Sequence, residues 1–438
     1  MKKNIIRAVC IGAFIVMFCV INQIWKFLLI DDTNSYTRVM MHELYDSENI
    51  DVIFVGSSHV YRSFVPDITD EEFGCYTFNA GSSSQQMDGS AAIIKEAIKN
   101  NDVKNVYLEL YYAVAEEKYI DRSGMTATYI ISDYMPISFE KISYLLKASS
   151  KEHWVNSFVI PRREWNKFFD SDYVMNLLIK KTGEDYRNYV LSHDEEAVEY
   201  YVERGFVANN ATAGYTTLND KGYGNINIDC LKGSDWEKSI IDIVNYCKSN
   251  NVSITLFVSP EPEWTIVGKG NYQEYYNYIK ELADNLSVDY YDFNLCKDQY
   301  LDRNDLELFK DTDHLNTRGA ELFSHVFGEL CVGKITERDV FYNSYEEMVQ
   351  DREPMVYGVA GPRKDSEQGI KECYIISSRE KEIEYRVFAT TSEGVEYEVK
   401  PFDTMKNFTL PIDESGTIRI EWRTVSNLED INFIEVAY

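Results

Sequence analysis

A serine hydroxyl becomes a useful nucleophile only when a base takes its proton. Two distant stretches of this chain hold the parts for that, Gly56-Ser57-Ser58-His59 and Asp311-Thr312-Asp313-His314. Histidine supplies the base, and a carboxylate fixes its tautomer and stabilises the imidazolium. Asp311 and His314 fall in a short loop bounded by Lys310 and Thr317, so acid and imidazole can meet within one turn. Asp313 is the alternative acid, but it adjoins His314 and reaches the ring awkwardly, so Asp311 ranks first. The turn after Gly56 frees the amide of Ser58, and Gly81 can offer a second beside it. Two converging amides suit an oxyanion, where one donor is typically worth about 10²–10³ in rate.

Each piece has a plainer reading. Gly-Ser-Ser after a strand is commonly just a turn, and Asp-x-x-His recurs by chance. His59 reads better as a structural residue than as a second base. Arg62 could orient an acyl or anionic group, although a salt bridge on the helix face is the better explanation. His42, His153, His193 and His325 lack ligand-spaced partners, so neither a metal nor any other cofactor is called for. What favours chemistry is that both pieces sit where sheet elements end.

The elements that must position them follow from hydrophobic pattern. Within Ile50 to Val55 an apolar run, bounded by Asp51, ends abruptly at Gly56; it is a buried strand that delivers the serines at its carboxyl end. Tyr76 to Asn79 is a second short strand, running into the small-residue loop Ala80 to Ser84. Gln86 to Asn100 has helical spacing, and Val103 to Tyr112 is a third strand. Ser234 to Cys247, Val252 to Ser259, Glu274 to Leu286 and Val288 to Asp292 continue the helix–strand alternation, and Thr317 to Cys331 closes it. That alternation predicts a parallel sheet covered by helices, an α/β fold over residues 33–333. Between about 115 and 233 the pattern loosens into aromatic-rich helical pieces, including Trp154, Trp165, Phe168 and Phe169, read as an inserted lid or cap. Beyond 334 the period changes to alternation, as in Ile383/Tyr385/Val387 and Ile418/Ile420/Trp422, predicting a C-terminal all-β, sandwich-like domain over 334–438. Residues 334–370 are a linker or its first strands.

The 438 residues, 45% of them hydrophobic, allow two or three domains with sizeable cores. A formal charge of −28 argues against nucleic acid, whose phosphates need a basic footprint. The eight cysteines are scattered with no CxxC pair, which is neither a zinc site nor a dense disulfide framework. At the N-terminus, Lys2, Lys3 and Arg7 precede an uncharged run from Ala8 to Trp25 that is long enough for one transmembrane helix. The basic flank predicts residues 1–32 as a cytoplasmic stub and anchor, with the rest outside. A cleaved signal peptide is the alternative, but no small-x-small site follows the run and Phe18 spoils a lipobox before Cys19.

Val55-Gly56-Ser57-Ser58-His59, Asn79-Ala80-Gly81 and Asp311-Thr312-Asp313-His314-Leu315-Asn316-x-x-Gly319 together resemble the SGNH (GDSL-type) hydrolase superfamily. The membrane-anchored Gly-Ser-Ser form is similar to its DltD-like branch and related bacterial envelope O-acyltransferases. The resemblance covers residues 33–333 and implies a flavodoxin-like α/β/α sheet. It implies Ser58, rather than Ser57, as nucleophile, with His314 as base and Asp311 as acid. Ser58 and Gly81 would form the oxyanion hole, and Asn79 accompanies Gly81 in the same motif. The family's third block commonly carries an Asn donor. Here the third strand runs Leu108-Glu109-Leu110-Tyr111-Tyr112, so Tyr111 or Tyr112 donates instead, or the hole has two amides only.

The expected function is that of an extracytoplasmic, single-pass enzyme of a bacterial membrane. It would move an acyl group, acetyl or D-alanyl, onto a hydroxyl of an envelope polysaccharide. The resemblance implies a multi-pass membrane acyltransferase as partner and supplier of the acyl donor. The acidic chain would repel a polyanionic acceptor, although screening limits this beyond about 8–10 Å, which tilts the expectation to a neutral polymer. The alternatives are a surface esterase or deacetylase with the same triad, and a non-catalytic polysaccharide-binding protein.

Overall fold

A computed structural model describes residues 2–116, 125–193, 196–214, 223–365 and 368–438. At its centre is a five-stranded parallel sheet of β1 (Val52–Gly56), β2 (Thr77–Gly81), β3 (Asn105–Glu109), β6 (Ser253–Val258) and β7 (Asp289–Asp292), in spatial order β2-β1-β3-β6-β7. The chain steps outward from β1 to β2, then crosses back to β3. That reversal opens a crevice at the carboxyl end of β1, where ligands bind in doubly wound sheets.

Pleating sends alternate β1 side chains to opposite faces. Ile53 and Val55 join a core beneath the helices Met87–Asn100, Asp235–Ser249 and Tyr272–Leu286. Val52 and Phe54 join a second core with Phe64, Phe257, Phe323 and Phe327, under the helix Thr317–Cys331. The expected α/β/α layering is therefore present, with β1 buried along its whole length.

Two close approaches fix the crevice. A Cβ on Gly56 would lie 2.4 Å from Glu109 Oε2, so only glycine lets the buried Glu109 side chain cross the end of β1. A Cβ on Gly319 would lie 2.1 Å from the Leu308 carbonyl, so glycine lets the closing helix start hard against the preceding turn. Asn316 caps that helix by accepting from the Gly319 amide at 3.0 Å. Phe309 pairs with Leu315, and the Lys310 amide donates to the His314 carbonyl, pinching residues 310–314 into a tight loop.

The insertion between β3 and β6 differs from a lid. Its helices, from Thr126–Ser132 to Glu184–Arg187, gather around the end of the long N-terminal helix α1 (Lys2–Leu29) and the following α2 (Tyr36–Asp46). The Asn22 amide donates to the Phe158 carbonyl, Trp25 packs on Phe168, and Tyr173 donates to the Leu29 carbonyl. Among the described residues of the insertion, only a hairpin, β4 (Glu199–Tyr201) and β5 (Val207–Asn209), and the chain just after it flank the 310–314 loop. The sequence shows these aromatics as apolar but not which surface they cover. Residues 117–124, 194–195 and 215–222 of the predicted insertion lie outside the described residues.

α1 carries one apolar stretch, Lys3–Leu29, long enough to cross a membrane. Residues 334–370 hold two short helices, Glu337–Val340 and Tyr345–Asp351, and then the first C-terminal strand, which begins at Val356. There β8 (Val356–Asp365), β9 (Ile370–Ser377), β10 (Ile383–Thr391), β11 (Glu396–Asp403), β12 (Asn407–Pro411), β13 (Gly416–Thr424) and β14 (Asn427–Ala437) form two antiparallel sheets, β11-β10-β13-β14 and β12-β9-β8. Ile375 and Cys373 from one face Tyr385, Val387 and Ile420 from the other, a small sandwich core.

Candidate active site

Ser57 leaves β1 with its amide donating 2.7 Å to Glu109 Oε2, and its hydroxyl accepts from the His59 amide to start the short helix α3 (Ser58–Ser63). This turn places Ser58 first in α3, partly exposed at the crevice. Its hydroxyl lies 2.7 Å from His314 Nε2. On the other side of the ring, His314 Nδ1 lies 3.0 and 3.2 Å from the two oxygens of Asp311. Serine, imidazole and carboxylate thus form one hydrogen-bonded chain, joined from the end of β1 and the 310–314 loop.

The carboxylate is held for that position. The Asp313 and His314 amides both donate to Asp311 Oδ1 at 2.9 Å, and the Lys310 ammonium lies 3.3 Å from Oδ2. Burial would raise the Asp311 carboxyl, but the His314 hydrogen bond and charge, the Asp313 amide and Lys310 hold it well below the usual carboxylate range. It therefore stays ionised and keeps a proton on Nδ1, leaving Nε2 to accept from Ser58. Asp313 turns its own carboxylate to the Thr312 hydroxyl, 2.9 Å away, and not to the ring.

His59 stands behind this arrangement. It is buried, its ring lies 4.6 Å from that of His314 at 21°, and its Nε2 donates to the Asp313 carbonyl at 2.8 Å. A carbonyl can only accept, so Nε2 carries the proton and Nδ1 accepts from the Ser57 hydroxyl at 3.1 Å. Burial, and then the nearby charge of His314, push its pKa well below that of an ordinary histidine. A neutral imidazole beside His314 orients without competing for protons.

The other sequence candidates divide. Tyr111 packs against His59, ring centroids 4.2 Å apart, and its hydroxyl makes no hydrogen bond among the described residues. Tyr112 is buried and spends its hydroxyl on Glu261 Oε2 at 2.8 Å, so it cannot serve an oxyanion. Arg62 does not face a ligand: it is buried against Glu199 and the Val207 carbonyl, tying α3 to the β4–β5 hairpin. Glu199 also lies 3.9 Å from Lys310, so this tie reaches the acid's own partner. Asn79 is likewise structural, donating to the Phe64 carbonyl at 2.6 Å while its amide donates to the Arg204 carbonyl.

Gly81 contributes a close approach. A Cβ there would lie 2.7 Å from the Ser57 carbonyl and 2.9 Å from Val60 Cβ, so glycine lets α3 settle on β2. The Ser82 amide turns back to the Gly56 carbonyl at 3.3 Å, and successive strand amides point opposite ways, which directs the Gly81 amide away from β1. The Ser58 amide is free at the first turn of α3, since its neighbours at 57 and 59 are used and it makes no bond among the described residues.

Three positioning residues escaped the sequence reading. Glu109 sits fully buried under the Ser57 turn, and burial, opposed by the Ser57 amide, pushes its carboxyl up to about 7. Glu261 is fully buried between Pro260 and Pro262, and burial, then the charge of Asp313, push its carboxyl well above the usual range. Thr265 donates to the Thr312 carbonyl at 2.6 Å, bracing the loop from outside. The signal for the first two was a single acid inside an apolar strand or a proline pair. Thr265 carried none. Among the described residues no three His, Cys, Asp or Glu side chains converge to hold a metal.

No protein-family model matches this chain. No curated protein matches it either. Among solved structures, a GDSL-like lipase from Bacteroides thetaiotaomicron aligns at a TM-score of 0.31 and 10% identity, covering 69% of this chain and 100% of its own. A Bacteroides fragilis protein assigned as an acylhydrolase aligns at a TM-score of 0.31 and 11% identity, covering 67% and 94%. Likenesses this loose say nothing of the site's chemistry.

Proposed function

We propose that the chain is a serine-dependent acyl-transferring enzyme, tethered by α1 and working on the outer face of a bacterial membrane. The observation that carries this reading is the continuous chain Ser58–His314–Asp311, with each link at hydrogen-bond distance. His314 Nε2 takes the Ser58 proton as Oγ attacks the acyl carbonyl. The negative oxygen that forms lies by the free Ser58 amide, with the Tyr111 hydroxyl as the second donor and the Gly81 amide left out. His314 then gives its proton to the departing group, leaving an acyl ester on Ser58. In the second half an acceptor hydroxyl loses its proton to His314 and attacks that ester, and Ser58 recovers the proton.

The acceptor in this reading is a hydroxyl of an envelope polysaccharide, the acyl group is acetyl or D-alanyl, and a multi-pass membrane acyltransferase supplies it. The sequence motifs and the tether support this, as do the contacts of Asn22 with the Phe158 carbonyl and of Trp25 with Phe168, which favour an anchor over a cleaved leader. A second reading, hydrolysis by water, draws on the exposure of the acid: the Asp311 side chain is 40% exposed, so solvent reaches it.

The test uses the full chain in detergent with a chromogenic acetyl ester, with and without a neutral oligosaccharide. Turnover that rises with the sugar and yields acylated sugar supports transfer. Turnover indifferent to sugar supports the esterase. An unlabelled Ser58 after fluorophosphonate treatment would sink both.

A further inference from the structure

Among the described residues, the insertion carries most of the large apolar side chains left uncovered outside α1. Phe139 is 80% exposed, Phe169 69% and Ile137 59%, and Trp165, Met175 and Ile179 are each more than half exposed. In water these would be a burden. Around the emerging end of a membrane helix they become an interfacial belt, where aromatic and aliphatic side chains reach the headgroup level. Such a belt would set the insertion helices at the lipid surface.

Inside it, beside the last turns of α1, opens a cavity of about 390 Å³. Among the described residues its lining includes Lys26, Arg38, Lys181, Tyr134 and Tyr186, with Asp32 as the one carboxylate. Three cations against one acid stand out in a chain of net charge −28. Asp32 is taken up by Lys181 at 2.7 Å and by the Tyr186 hydroxyl at 3.1 Å. Arg38 lies 3.9 Å from that carboxylate and is stacked between the faces of Tyr186 and Tyr189, 3.6 and 4.1 Å from their centroids. Lys26 has no carboxylate partner among the described residues; its ammonium bonds the Asp133 carbonyl and lies 4.5 Å over the Tyr134 ring. The cavity is therefore short of negative charge.

A second depression of about 440 Å³ continues from the first, sharing Gln23 and Phe27 with it. It runs along α1 past Ile24, Val20 and Cys19, walled by Ile137. From Phe27 to Cys19 that is about 12 Å of helix, directed into the bilayer. A cationic cavity at the water side thus joins an apolar groove at the lipid side. Inorganic phosphate alone would use the first and leave the second empty.

We propose that this is a binding site for one anionic glycerophospholipid, its phosphate among Lys26, Arg38 and Lys181 and an acyl chain along Val20, Ile24 and Ile137. The proposal rests on α1 remaining as the anchor. The bound lipid ties α1 to the insertion and sets how the catalytic domain stands on the membrane.

Native mass spectrometry of the full chain in mild detergent tests this, with dioleoylphosphatidylglycerol or dioleoylphosphatidylcholine added. One phosphatidylglycerol per chain is expected, retained about tenfold better than phosphatidylcholine. Lys26→Gln should erase that preference, and Ile137→Ser, at an exposed position, should lower retention several-fold with an unchanged melting temperature. Equal retention of the two lipids, or indifference to both substitutions, overturns the site. So does complete displacement of the lipid by millimolar inorganic phosphate, which would make it a free-phosphate site. The same spectra give the chain mass. A chain shortened at its N-terminus refutes the anchor, whereas an intact chain without lipid refutes only the lipid site.

Discussion

The imidazoles of His59 and His314 stack at 4.6 Å with only 21° between their planes, and His59 reaches over to bond the carbonyl of Asp313. One ring therefore holds both the face of the proposed base and the backbone beside it. His59→Phe keeps a ring against His314 but leaves the Asp313 carbonyl without its ring donor and takes the ring acceptor from the Ser57 hydroxyl. His59→Gln restores a donor but not the stack. Both variants should lower kcat by about tenfold with KM little changed. A fall in melting temperature with kcat intact would assign His59 to folding alone.

The triad makes a sharper contrast between adjacent serines. Ser58→Ala should cut kcat by roughly 10⁴–10⁶ and abolish fluorophosphonate labelling. Ser57→Ala removes the hydroxyl's bonds to the His59 amide and ring and to Glu109 but leaves the triad's own links, so labelling at Ser58 should persist. Asp311→Asn, which favours the wrong tautomer of His314, should cost about 10⁴ in kcat without preventing folding.

Tyr111 and Tyr112 are equal substitutes for the missing Asn by sequence, and the structure separates them. Tyr111→Phe should lower kcat by about 10² if its hydroxyl meets the oxyanion. Tyr112→Phe leaves Glu261 without its donor and should instead cost about 1–2 kcal/mol of stability, read in a urea titration.

The stretches that could be read directly were those where local pattern and chemistry coincide. β1 is an uninterrupted apolar run closed by Gly56, and Asp311 and His314 meet within one turn, so neither needs distant information. The roles of Arg62 and Asn79 depend on partners more than a hundred residues away in the case of Glu199 and Arg204, which spacing cannot reveal. The insertion failed for a related reason. Apolar helices look alike whether they cover an active site or encircle an anchor, and only the contacts of Asn22, Trp25 and Leu29 decide.

Glu109 predicts a pH dependence of stability. Its folded pKa of about 7 lies above the ordinary carboxyl value of 4.5, so the fold prefers the protonated form. That preference stabilises fully below about pH 4.5 and is lost as pH rises to about 7, a change on the order of 3 kcal/mol. Glu109→Gln keeps an oxygen for the Ser57 amide and cannot ionise. Melting temperatures of the two proteins should diverge in favour of the variant between pH 4.5 and 7. Parallel curves would show that Glu109 ionises without cost.

A final prediction concerns the junction with the C-terminal domain. Glu263 is fully buried and is met by Arg352 at 2.7 Å and by the Tyr357 hydroxyl, while Arg303 stays 3.7 Å away. Two residues further on, Thr265 braces the Thr312 carbonyl of the active-site loop. Arg352→Met strands a buried carboxylate and should cost about 3–5 kcal/mol. Adding Glu263→Gln removes that charge, so the double variant should recover part of the loss, as a double-mutant cycle in urea would record. Thr265→Val should lower kcat several-fold while Thr265→Ser restores it, because the loop needs the hydroxyl and not the methyl. If kcat ignores both Thr265→Val and Arg352→Met, the β domain stabilises the chain without steadying the loop.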